Sequence, residues 1–433
     1  MVRPPCSPHS RSNDPKNERG VSRTPRIVVT GVGLTTPIGH DMNTVASALK
    51  EGRHGIAVQE DWGRIEELHT RLGGMVTGLE LDGRWPRKAR RTMGRVGLLA
   101  ASATEDALRD AGLTTQALTS GRVGLAYGST HGSSQSLEDF CRRAFGSNSL
   151  ADVAGSEFIR FTSHTCAANL AMLFGIRGRV VSTSAACVSG SQAIGAGVEA
   201  LRLGAADIMI CGGAEELHFM TAGVFALFAA TSTTYNDRPD LSPRPFDAAR
   251  DGLVVGEGSA TLVIETLKNA LARNRPIHGE ILGYATSCDG SHITAPSAEG
   301  MARCMRLALA DAGLEPAQID YINAHATATR VGDAAEAEAT LDVFGRRTPI
   351  SSTKGHTGHT LGACGAIETA FCLAMVQDSF LAATRNLEHV DPECDGLDHV
   401  RATRAVELRA TMNNNFAFGG MNTSLIIGPA PRF

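Results

Sequence analysis

One stretch of the chain carries residue types suited to covalent chemistry. Residues 180–216 read VVSTSAACVSGSQAIGAGVEALRLGAADIMICGGAEE, which places Cys187 where a strand gives way to a helix. A thiol just before a helix N-terminus feels the positive end of the peptide dipoles and sits among unpaired backbone N–H groups, which favours its thiolate. The same N–H groups suit an oxyanion. Ser184, Ala185, Ala186, Ser189 and Gly190 are small enough to let a substrate carbonyl come close. The plainer reading is one more small buried residue, since free cysteine is among the most buried types.

Two histidines occupy comparable places. His325 ends the strand-like run 319–324 and is followed by Ala326, Thr327, Ala328 and Thr329, while His359 closes the loop KGHTGH (354–359) ahead of a Gly-rich helix. A cysteine with two histidines serves either as a protease-like thiol with a general base or as a condensing site with two imidazole donors. Spacing alone leaves both open. The ten cysteines include no CxxC pair and show no metal-ligand spacing with histidine.

The elements that must position these groups follow from periodicity. Residues 179–182 read as the end of a buried strand, and Ile194, Val198 and Leu201 recur at i, i+4 and i+7 on the following helix, with Gly204 as its stop. Upstream, order begins with a strand at 26–31, and a turn with Pro37 and Gly39 leads to a helix at 42–50. A repeat then emerges. Helix 96–108 runs into Asp110-Ala111-Gly112-Leu113 and a strand at 122–127; helix 301–309 runs into Asp311-Ala312-Gly313-Leu314 and the strand at 319–324. The strand at 180, the Cys187 loop and the helix GSQAIGAGVEAL are matched by the strand 349–351, a loop and the helix LGACGAIETAFCLAM. This order predicts a duplicated α/β unit, with halves at 26–275 and 276–433. Ligands of such sheets gather beyond the carboxyl ends of the strands, so halves packed about a pseudo-two-fold axis bring Cys187, His325 and His359 together. The first half carries an insertion at 131–175 without a counterpart, expected to shape a pocket or a subunit interface. Residues 410–427 read as two strands around Phe416-Ala417-Phe418-Gly419-Gly420, whose glycine pair makes a turn and permits a mobile loop.

Composition bounds the rest. With 433 residues and 42% hydrophobic content the chain buries a large core, and a net charge of -4 without long like-charged blocks gives no pointer to nucleic acid. Residues 1–25 are rich in Pro, Ser, Asn and Arg and read as a disordered tail. No apolar run reaches membrane-span length and no secretory h-region is present, so a soluble cytoplasmic protein is expected, in keeping with scattered free cysteines. The basic cluster WPRKARRTMGR (85–95) reads as a solvated helix face or as a dock for an acidic partner.

Five ordered motifs carry a family likeness: SAACVSG at Cys187, RPFDAARDGLVVGEG from Arg244, NAHATAT around His325, STKGHTGHTLGACGAIE around Lys354 and His359, and NFAFGGMN at Phe418. From Arg26 to about Gly428 the chain resembles the elongating β-ketoacyl-acyl-carrier-protein synthases of the thiolase superfamily, on the KAS I/KAS II branch. GGAEELHFM from Gly212 and STTYNDRPD from Ser232 strengthen the likeness to the KAS I side. The resemblance implies a five-layered α/β/α/β/α fold from two duplicated halves. It implies Cys187 as acyl-accepting nucleophile, with His325 and His359 as the decarboxylation and acyl-transfer pair. Lys354 and Glu368 match supporting positions, Thr327 and Thr329 match hydroxyls that hold the pantetheine arm, and Phe416 and Phe418 match the gate, the N–H of Phe418 completing the oxyanion hole. Arg87, Lys88 and Arg91 align with a patch that docks acyl carrier protein. The implied reaction is decarboxylative condensation of an acyl chain with malonyl carrier protein, in fatty acid or type II polyketide synthesis. It uses no metal or redox cofactor beyond the carrier's phosphopantetheine. The implied assembly is a homodimer, or a heterodimer with a chain-length factor.

Ala326, Ala417 and Met421 depart from the family's usual Gly, Gly and Thr, and their added bulk should stiffen or narrow the gate. Such changes resemble those of pathway-specific ketosynthases, including polyene type II systems. A non-catalytic chain-length-factor-like subunit and a thiolase are the competing readings. Retained Cys187 speaks against the first, and His359, where thiolases use a second cysteine, against the second.

Overall fold

Helix and sheet meet closely from the first strand. β1 (Ile27–Thr35) is buried along its whole length, and Gly31 and Gly33 leave no room for side chains: a Cβ on either would lie 2.4 Å from Ala107 O and 1.9 Å from Ala103 O of helix α1 (Arg95–Asp110). The computed structural model describes residues 24–81 and 83–432; nearly all of the expected tail lies outside them.

The first half continues with β2 (Val123–Gly128), β3 (Val180–Thr183), helix α2 (Ser189–Arg202), β4 (Ile208–Glu215) and β5 (Gly258–Thr266). The second half comprises β6 (Gly279–Cys288), α3 (Ala298–Ala312), β7 (Tyr321–Asn323), α4 (Arg330–Phe344), β8 (Pro349–Ser351), α5 (Cys364–Asp378), β9 (Asp398–His399), β10 (Thr411–Ala417) and β11 (Met421–Gly428). The strands form one 11-stranded sheet in the order β9-β8-β7-β10-β11-β6-β1-β5-β4-β2-β3. Read outward from its centre, β1-β5-β4-β2-β3 is matched by β6-β11-β10-β7-β8, and the halves join only where 27–29 pairs antiparallel with 279–281. The directions match as well. β1/β5/β4 and β6/β11/β10 are antiparallel, whereas β4/β2/β3 and β10/β7/β8 are parallel. The duplication expected from the sequence is therefore present strand by strand.

Five layers result. α1 covers the outer face of the first half's strands, α3 and α4 cover the second half's, and α2 and α5 pack between the two. α5 is buried on every side from Cys364 to Val376, as a helix enclosed between the two halves of the sheet must be. α2 is rich in small residues for a steric reason: a Cβ at Gly195 would fall 2.0 Å from the Tyr284 ring, and one at Gly197 would fall 2.3 Å from Cys211 Sγ.

One expectation needs correction. The strand before Cys187 is the exposed end of the sheet, with Val180 45% exposed, because β2 covers only one of its edges. Apolar residues at a free sheet edge read the same in sequence as residues in a core strand. The insertion 131–175 folds as helices Ser134–Ser147, Gly155–Arg160 and Thr165–Phe174. It exposes Phe145, Phe158 and Met172.

Candidate active site

Cys187 sits on a strained turn between β3 and α2. Ala186 adopts φ +47°, a left-handed conformation that costs a non-glycine residue free energy and is kept where surrounding bonds over-determine it. Those bonds come from Ser189, whose Oγ accepts from the Ala185 N–H at 2.9 Å and donates to Ala186 O at 2.7 Å. The Cys364 thiol donates to Cys187 O at 3.2 Å from the start of α5.

His359 is clamped in backbone. Its N–H donates to Val254 O at 2.7 Å and its carbonyl accepts from the Gly256 N–H at 2.8 Å. His325 follows β7, and the N–H groups of His325 and Ala326 donate to the two carboxylate oxygens of Glu336 on α4, at 2.9 and 2.7 Å. Ala328, at φ +70°, donates its N–H to Asp333 at 3.1 Å. Arg250, fully buried, bonds Asp391 at 2.6 Å and the carbonyls of Thr329 and Arg330, pinning the same loop.

These scaffolds bring the three expected side chains together. His359 Nε2 lies 3.0 Å from Cys187 Sγ, and the two imidazoles stand edge to face with centroids 5.0 Å apart. Behind them Lys354 Nζ meets Glu368 Oε1 at 2.5 Å, and the other Glu368 oxygen accepts from Asn415 Nδ2 at 2.7 Å.

The electrostatics correct one expectation. Burial pushes the Cys187 thiol up to about 12, and the nearby Lys354 ammonium offsets only part of this. Placement ahead of a helix therefore does not make a resting thiolate here, because desolvation disfavours the charged form more than the dipole favours it. Burial and then Lys354 hold His325 and His359 well below the usual imidazole range. Both rings are neutral at physiological pH, each with one N–H to donate. Glu368 keeps Lys354 protonated despite its burial.

A cavity of about 380 Å³ opens onto this cluster, lined by Cys187, His325, His359, Thr327, Thr329 and Phe418 among others. Phe418 rests against Phe225 and Phe228 at centroid distances of 5.5 and 5.9 Å, and Phe416 stands 6.2 Å from His325. Gly419 and Gly420, at φ +88° and +68°, turn the chain between β10 and β11, as their pairing led us to expect. The hydroxyls of Thr327 and Thr329 lie 3.2 Å apart. No residue of 131–175 lines this cavity. Arg87, Lys88 and Arg91 are exposed and outside it. Sequence reasoning missed Glu336, Asp333, Arg250, Cys364 and Asn415; RPFDAARDG held Arg250 in plain view as a motif without an assigned role.

Comparison with known proteins agrees with this arrangement. The family model for the beta-ketoacyl synthase N-terminal domain matches residues 24–270, and that for the C-terminal domain matches 278–388. The 3-oxoacyl-[acyl-carrier-protein] synthase 1 of Haemophilus influenzae is 38% identical over 403 residues, covering 93% of this chain and 98% of its own. A beta-ketoacyl synthase from Burkholderia phymatum superposes with a TM-score of 0.91 at 47% identity, covering 94% of this chain and 100% of its own. The ishigamide ketosynthase/chain length factor gives 0.88 at 32%, with the same coverage. With both domain models matched and relatives of this identity aligned over nearly their whole length, the chain belongs to the β-ketoacyl synthase family.

Proposed function

We propose that the chain condenses an acyl group held on Cys187 with malonyl-acyl carrier protein, releasing carbon dioxide and a 3-oxoacyl carrier thioester. The observation that carries this is the Cys187–His359 contact of 3.0 Å, with His325 beside it, at the end of a cavity. The Cys187 sulfur attacks the acyl thioester, its proton passes to the departing carrier thiol, and a new thioester forms. Malonyl carrier protein then enters; its carboxylate carbon leaves as carbon dioxide, and the bonding pair becomes an enolate. Neutral His325 and His359 each donate an N–H to the enolate oxygen, stabilising charge that develops only in the transition state. The enolate carbon attacks the acyl carbon, and the oxyanion rests on the N–H groups of Cys187 and Phe418. Collapse breaks the bond to sulfur and frees the product. Nothing in these steps calls on a metal or redox cofactor.

Lys354 and Glu368 fix the field behind the imidazoles, and Thr327 and Thr329 bind the pantetheine amides. Ala417 and Met421 narrow the Phe416/Phe418 gate. Arg87, Lys88 and Arg91 dock the acidic carrier protein. A second chain, a copy or a chain-length factor, covers the open β3 edge and the exposed Phe145, Phe158 and Met172. The solved structures that resemble this one include a ketosynthase with its chain length factor from Xenorhabdus doucetiae. The halves divide near residue 275. Among the described residues no helix is long and apolar enough to cross a membrane, and we place the protein in the cytoplasm. The test is malonyl-dependent release of carbon dioxide by the purified chain supplied with acyl and malonyl carrier protein. Release matched by 3-oxoacyl product supports the reading; exchange of acetyl groups without malonyl consumption would assign a thiolase instead.

A further inference from the structure

The sequence places Cys187, His325 and His359 in three distant segments with no metal-ligand spacing, yet folding gives them the composition and proximity of a metal site. Their ligand atoms all lie within 4.8 Å of one another, and all three side chains are buried. We infer that this cluster reversibly binds a borderline-soft divalent cation of the Zn²⁺ class, and that the bound ion silences the thiol. That it silences catalysis rests on the proposed function; that it binds rests on the geometry.

Thiolate plus two imidazoles is a ligand set that selects zinc over calcium or magnesium, which prefer oxygen. Zn–S of about 2.3 Å and Zn–N of about 2.0–2.1 Å put tetrahedral ligand atoms roughly 3.3–3.6 Å apart. The Cys187–His359 distance of 3.0 Å already falls close to that, and the other ligand atoms lie within 4.8 Å. The cavity beside the cluster supplies both an entry path and a water for the fourth position. Charge around the ion is mixed. The Lys354 ammonium opposes the ion, but it is paired with the buried Glu368 carboxylate. Binding replaces the Cys187 S–H proton, which leaves to solvent, and forms one sulfur–metal and two nitrogen–metal bonds. The Nδ1 atoms of both imidazoles have no hydrogen-bond partner. Resident metal sites fix that second nitrogen with an acceptor, so this site holds its ion by three ligands alone and yields it to a chelator.

The test uses the full chain, stripped with a chelator and dialysed against Zn²⁺. We expect about one exchangeable ion per chain, on the three-ligand pattern of catalytic zinc sites, lost in C187A and in H359A. At a Zn²⁺ concentration ten times its Kd, alkylation of Cys187 by iodoacetamide should slow roughly tenfold, since only the free fraction reacts. The exposed Cys288 serves as the internal reference and should react at its metal-free rate. A thiolate-to-cobalt absorption band on adding Co²⁺ to the wild-type chain gives the same answer without any variant. Equal Zn²⁺ uptake by wild type and C187A would mean an adventitious ion only and would overturn the inference, as would unchanged Cys187 alkylation at saturating Zn²⁺. Acyl loading and carbon dioxide release by the metal-free chain test the condensing reading separately, so either can fail without the other.

Discussion

Replacing Glu368 with alanine probes the buried charge pair behind the two imidazoles. The Lys354 and Glu368 side chains are only 1% and 4% exposed and meet at 2.5 Å. At an effective dielectric constant near 20, two unit charges at that separation attract by roughly 6–7 kcal/mol. Taking two ions out of water costs several kcal/mol each, so the intact pair contributes little net stability. Glu368→Ala changes that balance: the ammonium stays buried with no counter-ion, and Asn415 Nδ2 loses its acceptor. The expected loss is about 3–5 kcal/mol, with partial relief if Lys354 gives up its proton. The double variant K354M/E368L, which removes both charges and keeps the volume, should recover most of it. Urea unfolding of wild type, K354M, E368L and K354M/E368L gives the cycle directly, with Glu368→Ala measured beside it. A Glu368→Ala unfolding free energy within about 1 kcal/mol of wild type, or a double variant less stable than either single, would refute the reasoning.

Burial raises the Cys187 thiol to about 12, so its thiolate fraction should grow about tenfold per unit from roughly pH 7 to 10, and alkylation of the Cys187 peptide should follow without a plateau; a plateau near neutrality would restore the helix-dipole thiolate. His325→Ala and His359→Ala should each lower malonyl decarboxylation by about 10²–10³, the usual effect of losing one such donor, measured as carbon dioxide release. Equal rates in all three proteins would remove both imidazoles from the step. Reversing Arg87, Lys88 and Arg91 to Glu should raise the KM for carrier-bound substrate steeply while leaving kcat near wild type. An unchanged KM would move the carrier dock elsewhere.

That Cys187, His325 and His359 would be brought together was legible in the sequence because each follows a strand in one of two matching halves. The repeated Asp-Ala-Gly-Leu helix ends revealed the duplication that the sheet order displays. Lys354 and Glu368 carried no such signal and came only from the resemblance, since an isolated Lys or Glu in a sequence is read as solvated. Glu336, Asp333 and Arg250 escaped for the same reason: their partners are backbone groups and carboxylates remote in sequence. Cys364 and Asn415 act through the backbone and side chains of others, which no local pattern encodes. Val180 was misplaced because apolar alternation cannot tell an interior strand from a sheet edge awaiting a neighbour. The thiol's protonation state was misjudged because a helix dipole can be read from position, whereas desolvation depends on the whole surrounding fold.

The central claim is that Cys187 carries the acyl group while His325 and His359 serve the malonyl unit. Peptide mass spectrometry after incubation with acyl carrier protein tests it most directly. The acyl mass is expected on Cys187 alone, discharged with one carbon dioxide per 3-oxoacyl product when malonyl carrier protein is added. An acyl group on any other residue, or an acylated Cys187 that malonyl carrier protein leaves untouched, would contradict it.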